Sequence, residues 1–72
     1  MAPERQRFTL RHSEEVMGVM DTFKAGKDLE LDLTGMREED RRRALDVLAG
    51  FAYGLDANLQ RTGPHLFTLL RL

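Results

Sequence analysis

Residues 29 to 34, LELDLT, place Leu29, Leu31 and Leu33 at alternate positions, with Glu30, Asp32 and Thr34 between them. Successive side chains of a strand point to opposite faces, so the stretch reads as a strand with one apolar and one polar face. Such a strand needs neighbours in a sheet and a second layer over its leucines. RFTLR at residues 7 to 11 repeats the alternation, with Phe8 and Leu10 on one face and Arg7, Thr9 and Arg11 on the other. Between the two strands the period changes. Val16, Val19, Met20 and Phe23 recur at helical spacing, with Met17 at the edge of the stripe. Ser13 is expected as the N-cap, Glu14 and Glu15 suit the positive end of the helix dipole, and AGK at 25 to 27 supplies a glycine stop.

A second helix is expected after Gly35. Glu38, Glu39 and Asp40 precede Arg41, Arg42 and Arg43 at the offset that pairs acid with base on a helix surface, so the block reads as a solvated helix start. The expected inward face is Ala44, Leu48, Phe51 and Leu55, flanked by Leu45, Val47 and Ala52. Two short strands follow, about 58–62 and 65–71, joined by a Gly63-Pro64 turn. The order β-α-β-α-β-β, with right-handed crossovers and a final hairpin, predicts a two-layer α/β sandwich: two helices on one face of a four-stranded mixed sheet. Pairing of the first two strands sets Arg7, Thr9 and Arg11 beside Glu30 and Asp32 on the polar face. The chain divides into a polar tail, residues 1–6, and a core domain, residues 7–72.

At 72 residues the chain can bury only a small core, and it has no cysteine to staple it. Its two histidines, His12 and His65, lie far apart and form no metal-ligand pattern, which leaves a partner subunit as the expected source of added stability. The last strand agrees, because Leu66, Leu70 and Leu72 share one face while Phe67 and Leu69 occupy the other. A two-layer sandwich covers one sheet face only, so the second face calls for a second subunit or a domain edge. A net charge of −1, with acids beside every arginine cluster, gives no basic field for nucleic acid or an anionic membrane. MAPERQR lacks the apolar run of a secretory signal, no stretch is long enough to span a bilayer, and the absence of cysteine suits a reducing cytoplasm.

No phosphate-binding glycine loop, zinc ligand set, dinucleotide fingerprint or nucleophile elbow occurs. His12 beside Ser13 makes no catalytic pair, because neighbours at a strand end point apart, and Glu30 and Asp32 face arginines rather than a cation. The expectation is a protein that is not an enzyme and holds no cofactor or metal. More informative are Gly50 and Gly54 inside the second helix, each costing about 1 kcal/mol against alanine. With Asp46 they form an i, i+4, i+8 stripe beside Val47, Phe51 and Tyr53 that lets another backbone approach closely. That backbone is either the protein's own sheet or a helix of a second subunit. The glycines lie on the flank of the sheet-facing stripe, which favours self-association through Asp46, Gly50, Tyr53 and Gly54.

The run LDLTGMREEDRRRALDVLAGFAYGLDANLQRTGPHLFTLL resembles the core domain of the SepF cell-division family. That pattern has an apolar strand ending in D-L or N-L, a helix closing on D-F-L-S-G with Y-A-L after it, an I-Q-K/R-I-G strand and a final I-F-L-L-T-P strand. Asp46, Leu48, Gly50, Tyr53, Leu55, Gln60, Arg61, Gly63 and Phe67 fall on matching positions, and Phe8 to Gly26 match more loosely. The resemblance implies a cytoplasmic, non-enzymatic adaptor at the division site. Such a protein self-associates through this domain as a homodimer or larger assembly, binds the C-terminal tail of the tubulin-like protein FtsZ, and supports Z-ring assembly and septum formation. The family glycine matching Gly50 lies where helices of neighbouring subunits meet, and tail contact is expected at Phe51, Arg61 and Phe67. The family reaches the membrane by an N-terminal amphipathic helix and linker, neither of which MAPERQR supplies, so direct membrane binding is expected only if this chain is a core excised from a longer protein. Ala57 replaces a usual turn glycine, Gly54 a usual alanine and Arg71 a proline.

Two other functions compete. LDLTGM also resembles the strand and turn before the switch helix of anti-sigma-factor antagonists, phosphorylation-switched signalling domains. Those domains carry a D-S/T-S/T-G sequence that this chain lacks, leaving only Thr34. The other is a generic dimerisation module.

Overall fold

The computed structural model describes residues 5 to 71. Strand β1 runs Arg5–Thr9, a 3-10 turn at Ser13–Glu15 leads into helix α1 at Val16–Lys24, and β2 spans Asp28–Asp32. Helix α2 covers Glu38–Gly54, and β3 at Ala57–Arg61 and β4 at Leu66–Arg71 form the closing hairpin. The sheet order is β1-β2-β4-β3. β1 and β2 are parallel, and the other two pairings are antiparallel. The expected two helices on a four-stranded mixed sheet are therefore present. Both helices pack on the face that carries Leu29, Leu31 and Leu69, all three of them buried.

Several boundaries move. β1 begins two residues before its expected start and ends at Thr9, although Leu10 still donates its amide to the Asp32 carbonyl at 2.9 Å and is buried. His12, not Ser13, holds the cap position, because the chain first makes a 3-10 turn there. The Glu15 carboxylate accepts from the His12 amide at 3.1 Å, satisfying one of the donors a helix start leaves free. α1 ends as anticipated, with Gly26 at φ 107, a conformation open to glycine and strained for other residues.

On α2 the buried residues are Ala44, Leu48 and Ala52. Leu55, expected inside, is 46% exposed because the helix stops at Gly54 and Leu55 turns the chain away from the stripe. Ala52 takes the inward place, and Phe51 is only half-buried. Asp56 then adopts φ 53, a turn conformation that aspartate tolerates, immediately before β3. The acid–base pairs expected within 38–43 do not form among the described residues; Arg41 instead donates to the Met36 carbonyl at 3.1 Å, tying the first turn of α2 to the loop before it.

β4 sits between β2 and β3, with Leu29 opposite Leu69 and Leu69 opposite Leu59. It reaches Arg71, the position at which the resembled family has proline. The Arg71 amide donates to the Asp28 carboxylate at 3.4 Å, and its guanidinium lies 4.4 Å over the Phe23 ring while donating to the Phe23 carbonyl. Leu72 lies outside the described residues.

Candidate protein-interaction site

Three surfaces carry the residues that the sequence singles out. The first is the outward side of α2. Asp46, Gly50, Tyr53 and Gly54 are all exposed, Tyr53 by 90%, and Val47 beside them by 46%. A methyl group built at Gly50 or Gly54 meets nothing within 4 Å. The protein's own sheet is thus not the backbone that approaches the two glycines. The stripe is an unobstructed strip of bare helix, edged by a half-exposed valine and a tyrosine that lies almost wholly in solvent.

The second surface is a shallow groove of about 360 Å³ where the first half of α2 meets the β3–β4 hairpin. The register sets Arg61 opposite Phe67, and both line the groove. Arg61 folds over the hairpin turn, donating through Nε to the Gly63 carbonyl at 3.1 Å and through Nη2 to the Pro64 carbonyl at 2.7 Å. Its charge is thereby fixed at the rim. From α2 come Glu38, Arg41, Arg42 and Leu45, and from the turn Pro64 and His65. The lining thus combines an apolar floor with three guanidinium groups against one carboxylate.

Phe51 does not join this group. Its ring meets Phe23 edge-on, with centroids 5.9 Å apart at 78°, and the Lys24 ammonium lies 6.0 Å from its centroid. Phe51 belongs to the seam between α1 and α2. Sequence reasoning missed Arg41, Arg42, Leu45 and His65 as groove residues, having assigned the arginines to a solvated helix start and Leu45 to the flank of the inward face, and having given His65 no role. The available signal was their i, i+1, i+4 spacing on the side of α2 that faces the hairpin.

The third surface is the sheet face turned away from the helices. Arg7 pairs with Asp32 at 3.4 Å and Arg5 with Glu30 at 3.8 Å, so the expected opposite-charge pairing of β1 and β2 is present, shifted one pair toward the N-terminus. Arg11 takes no part. The Thr34 amide donates to the Asp32 carboxylate at 2.9 Å, and bonds from Thr34 followed by those from Arg7 hold that carboxyl below the usual aspartate range. Leu66 and Leu70 are half-buried on this face, with Thr68 between them. No group of three or more potential metal ligands occurs among the described residues, and no helix there is long and apolar enough to cross a membrane.

Comparison with known proteins agrees with the pattern along the chain. The family described as "Cell division protein SepF" matches residues 7–70. A protein named "Cell division protein SepF" from Carboxydothermus hydrogenoformans is 32% identical over 60 residues, covering 83% of this chain and 44% of that protein. Relatives of the same name from Salinispora arenicola and Kineococcus radiotolerans are 34% and 30% identical, each covering 94% of this chain and 32% and 38% of their own lengths. The chain therefore spans less than half the length of these relatives. Matched from the first strand into the last, and folded as the two-layer sandwich its pattern implies, this chain belongs to the SepF family.

Proposed function

We propose that this chain is a non-enzymatic adaptor of bacterial cell division that binds the C-terminal tail of FtsZ and self-associates, supporting Z-ring assembly and septum formation in the cytoplasm at the division site. The observation that carries tail binding is the groove in which Arg61 and Phe67 meet Arg41, Arg42 and Leu45. An apolar floor with a cationic rim fits a short acidic segment that bears an apolar anchor. Self-association is supported by the open strip around Gly50 and Gly54, which has helix-weakening residues and no neighbour within the chain.

Calorimetric titration with the FtsZ tail peptide of the same organism, beside a scrambled peptide, tests the adaptor role. The expected result is saturable binding of the true tail alone, weakened at least tenfold by Phe67→Ala, since a truncated central anchor commonly costs more than about 1.4 kcal/mol. Circular dichroism of the variant establishes that it remains folded. Equal heats from both peptides, or from none, would remove FtsZ as the partner.

A further inference from the structure

β3 is one of the two edges of the sheet. The Thr62 amide donates to the Leu66 carbonyl of β4 at 2.8 Å, and the direction of the backbone groups alternates along an antiparallel ladder. The amides and carbonyls of Asn58 and Gln60 therefore point into the sheet, while those of Ala57, Leu59 and Arg61 point out of it. Among the described residues, no hydrogen bond engages these outward groups. Proteins commonly block such an edge with charges, proline or a bulge. Ala57–Arg61 has neither proline nor bulge, and its one charge, on Arg61, is drawn back over the turn by the Gly63 and Pro64 carbonyls. The opposite edge, β1, carries Arg5 and Arg7 instead.

We propose that the β3 edge pairs with the β3 edge of a second copy of this chain, antiparallel and centred on Leu59, so that the two sheets become one. The inference rests on the self-association proposed above and gives it a surface distinct from the α2 strip. A second copy is the occupant because the strand is complementary to itself. About a twofold axis at Leu59, the two leucines meet, Asn58 faces Gln60 of the partner subunit, and Ala57 faces Arg61 of the partner subunit. The residues with outward groups thus fall opposite one another, so each free amide finds a carbonyl, and no like charges are opposed. Leu59 is the middle of the strand, and only this register opposes all of it. Shifting toward Arg61 brings the two arginines together, and shifting toward Ala57 runs into the turn at Asp56, where φ is 53. On β1 the same operation, about its middle residue Arg7, sets arginine against arginine.

Amide hydrogen exchange reads this contact directly, in the unaltered chain and in Gly50→Lys, where the α2 strip is filled. Ala57, Leu59 and Arg61 are expected to exchange about three- to fivefold more slowly at about 1 mM than at about 10 μM chain, as for a small interface with a dissociation constant of about 0.1 mM. Arg7 and Thr9 are the control: the Leu10 amide donates to the Asp32 carbonyl, so theirs point out of the other edge and should exchange equally at both concentrations. The register is read by disulfide capture, since the chain has no cysteine of its own. Asn58→Cys mixed with Gln60→Cys in a glutathione redox buffer should give at least about fivefold more mixed disulfide dimer than either homodimer, against about twofold for random collision. Equal exchange at both concentrations, or a random yield of disulfides, overturns the edge pairing. Sedimentation of the same samples then separates the two readings: a dimer leaves self-association standing through another surface, and a monomer removes it as well. Slowing that Gly50→Lys abolishes overturns the edge as a contact of its own. Slowing that appears when the FtsZ tail peptide is added to the dilute chain, and not when the chain is concentrated, overturns pairing of copies in favour of a peptide strand.

Discussion

Thr68 is 6% exposed at the centre of the sheet face that the helices leave open, and its hydroxyl has no hydrogen-bond partner. A buried, unsatisfied hydroxyl costs on the order of 1–3 kcal/mol, whereas valine has nearly the same shape without the polar atom. Thr68→Val is therefore expected to raise stability by about 1 kcal/mol, measured as a higher urea midpoint with unchanged slope. A lowered midpoint would mean that the hydroxyl is satisfied in solution. Arg71 shows the opposite economy. Stacked on Phe23 and bonded to that residue's carbonyl, it meets the negative end of α1 with a cation and shields the edge of the core. The sequence marked Arg71 only as a departure from a family proline; its use depends on β4 lying beside β2, which brings residue 71 to the end of a helix 47 positions earlier.

Helix α2 is the element on which most of the surface is organised. Its first half contributes Arg41, Arg42 and Leu45 to the groove, its middle buries Leu48, and its second half exposes Gly50, Tyr53 and Gly54. Two substitutions at one position separate the helix's own preference from its use in association. Gly50→Ala places a methyl group in open space and should stabilise the monomer by about 1 kcal/mol. Gly50→Lys should leave the monomer folded and shift sedimentation to the monomer, because a long cation fills the strip; an unchanged profile would exclude this face as a contact. The inward stripe of α2 was legible in outline from Ala44 and Leu48, but its phase beyond residue 50 was not. Leu55 looks like part of the stripe by spacing alone, and only the turn at Leu55 and Asp56, set by where β3 must start, removes it.

At the scale of the molecule, the alternation in LELDLT and the change of period on either side of it were enough to give the layers, since a half-apolar strand leaves few ways to be covered. The groove was legible only in two of its residues. Arg61 and Phe67 carried a family pattern, whereas Arg41, Arg42 and His65 enter it through the approach of α2 to the hairpin, a contact that no local period encodes. A chain this small with a bare helix strip beside an exposed valine and tyrosine is expected to gain stability from its copies. Its melting temperature should rise with protein concentration, since association with the folded form alone stabilises it by mass action. A midpoint constant over a hundredfold dilution would mark a monomer that is stable unaided. The placement of β4 bears on how the chain comes into being. β2 and β3 have no pairing with each other and are joined only through residues 66–71. The β1–β2 pair and β3 therefore share one sheet only once residues 66–71 lie between them, so the strand made last is the one that closes the sheet.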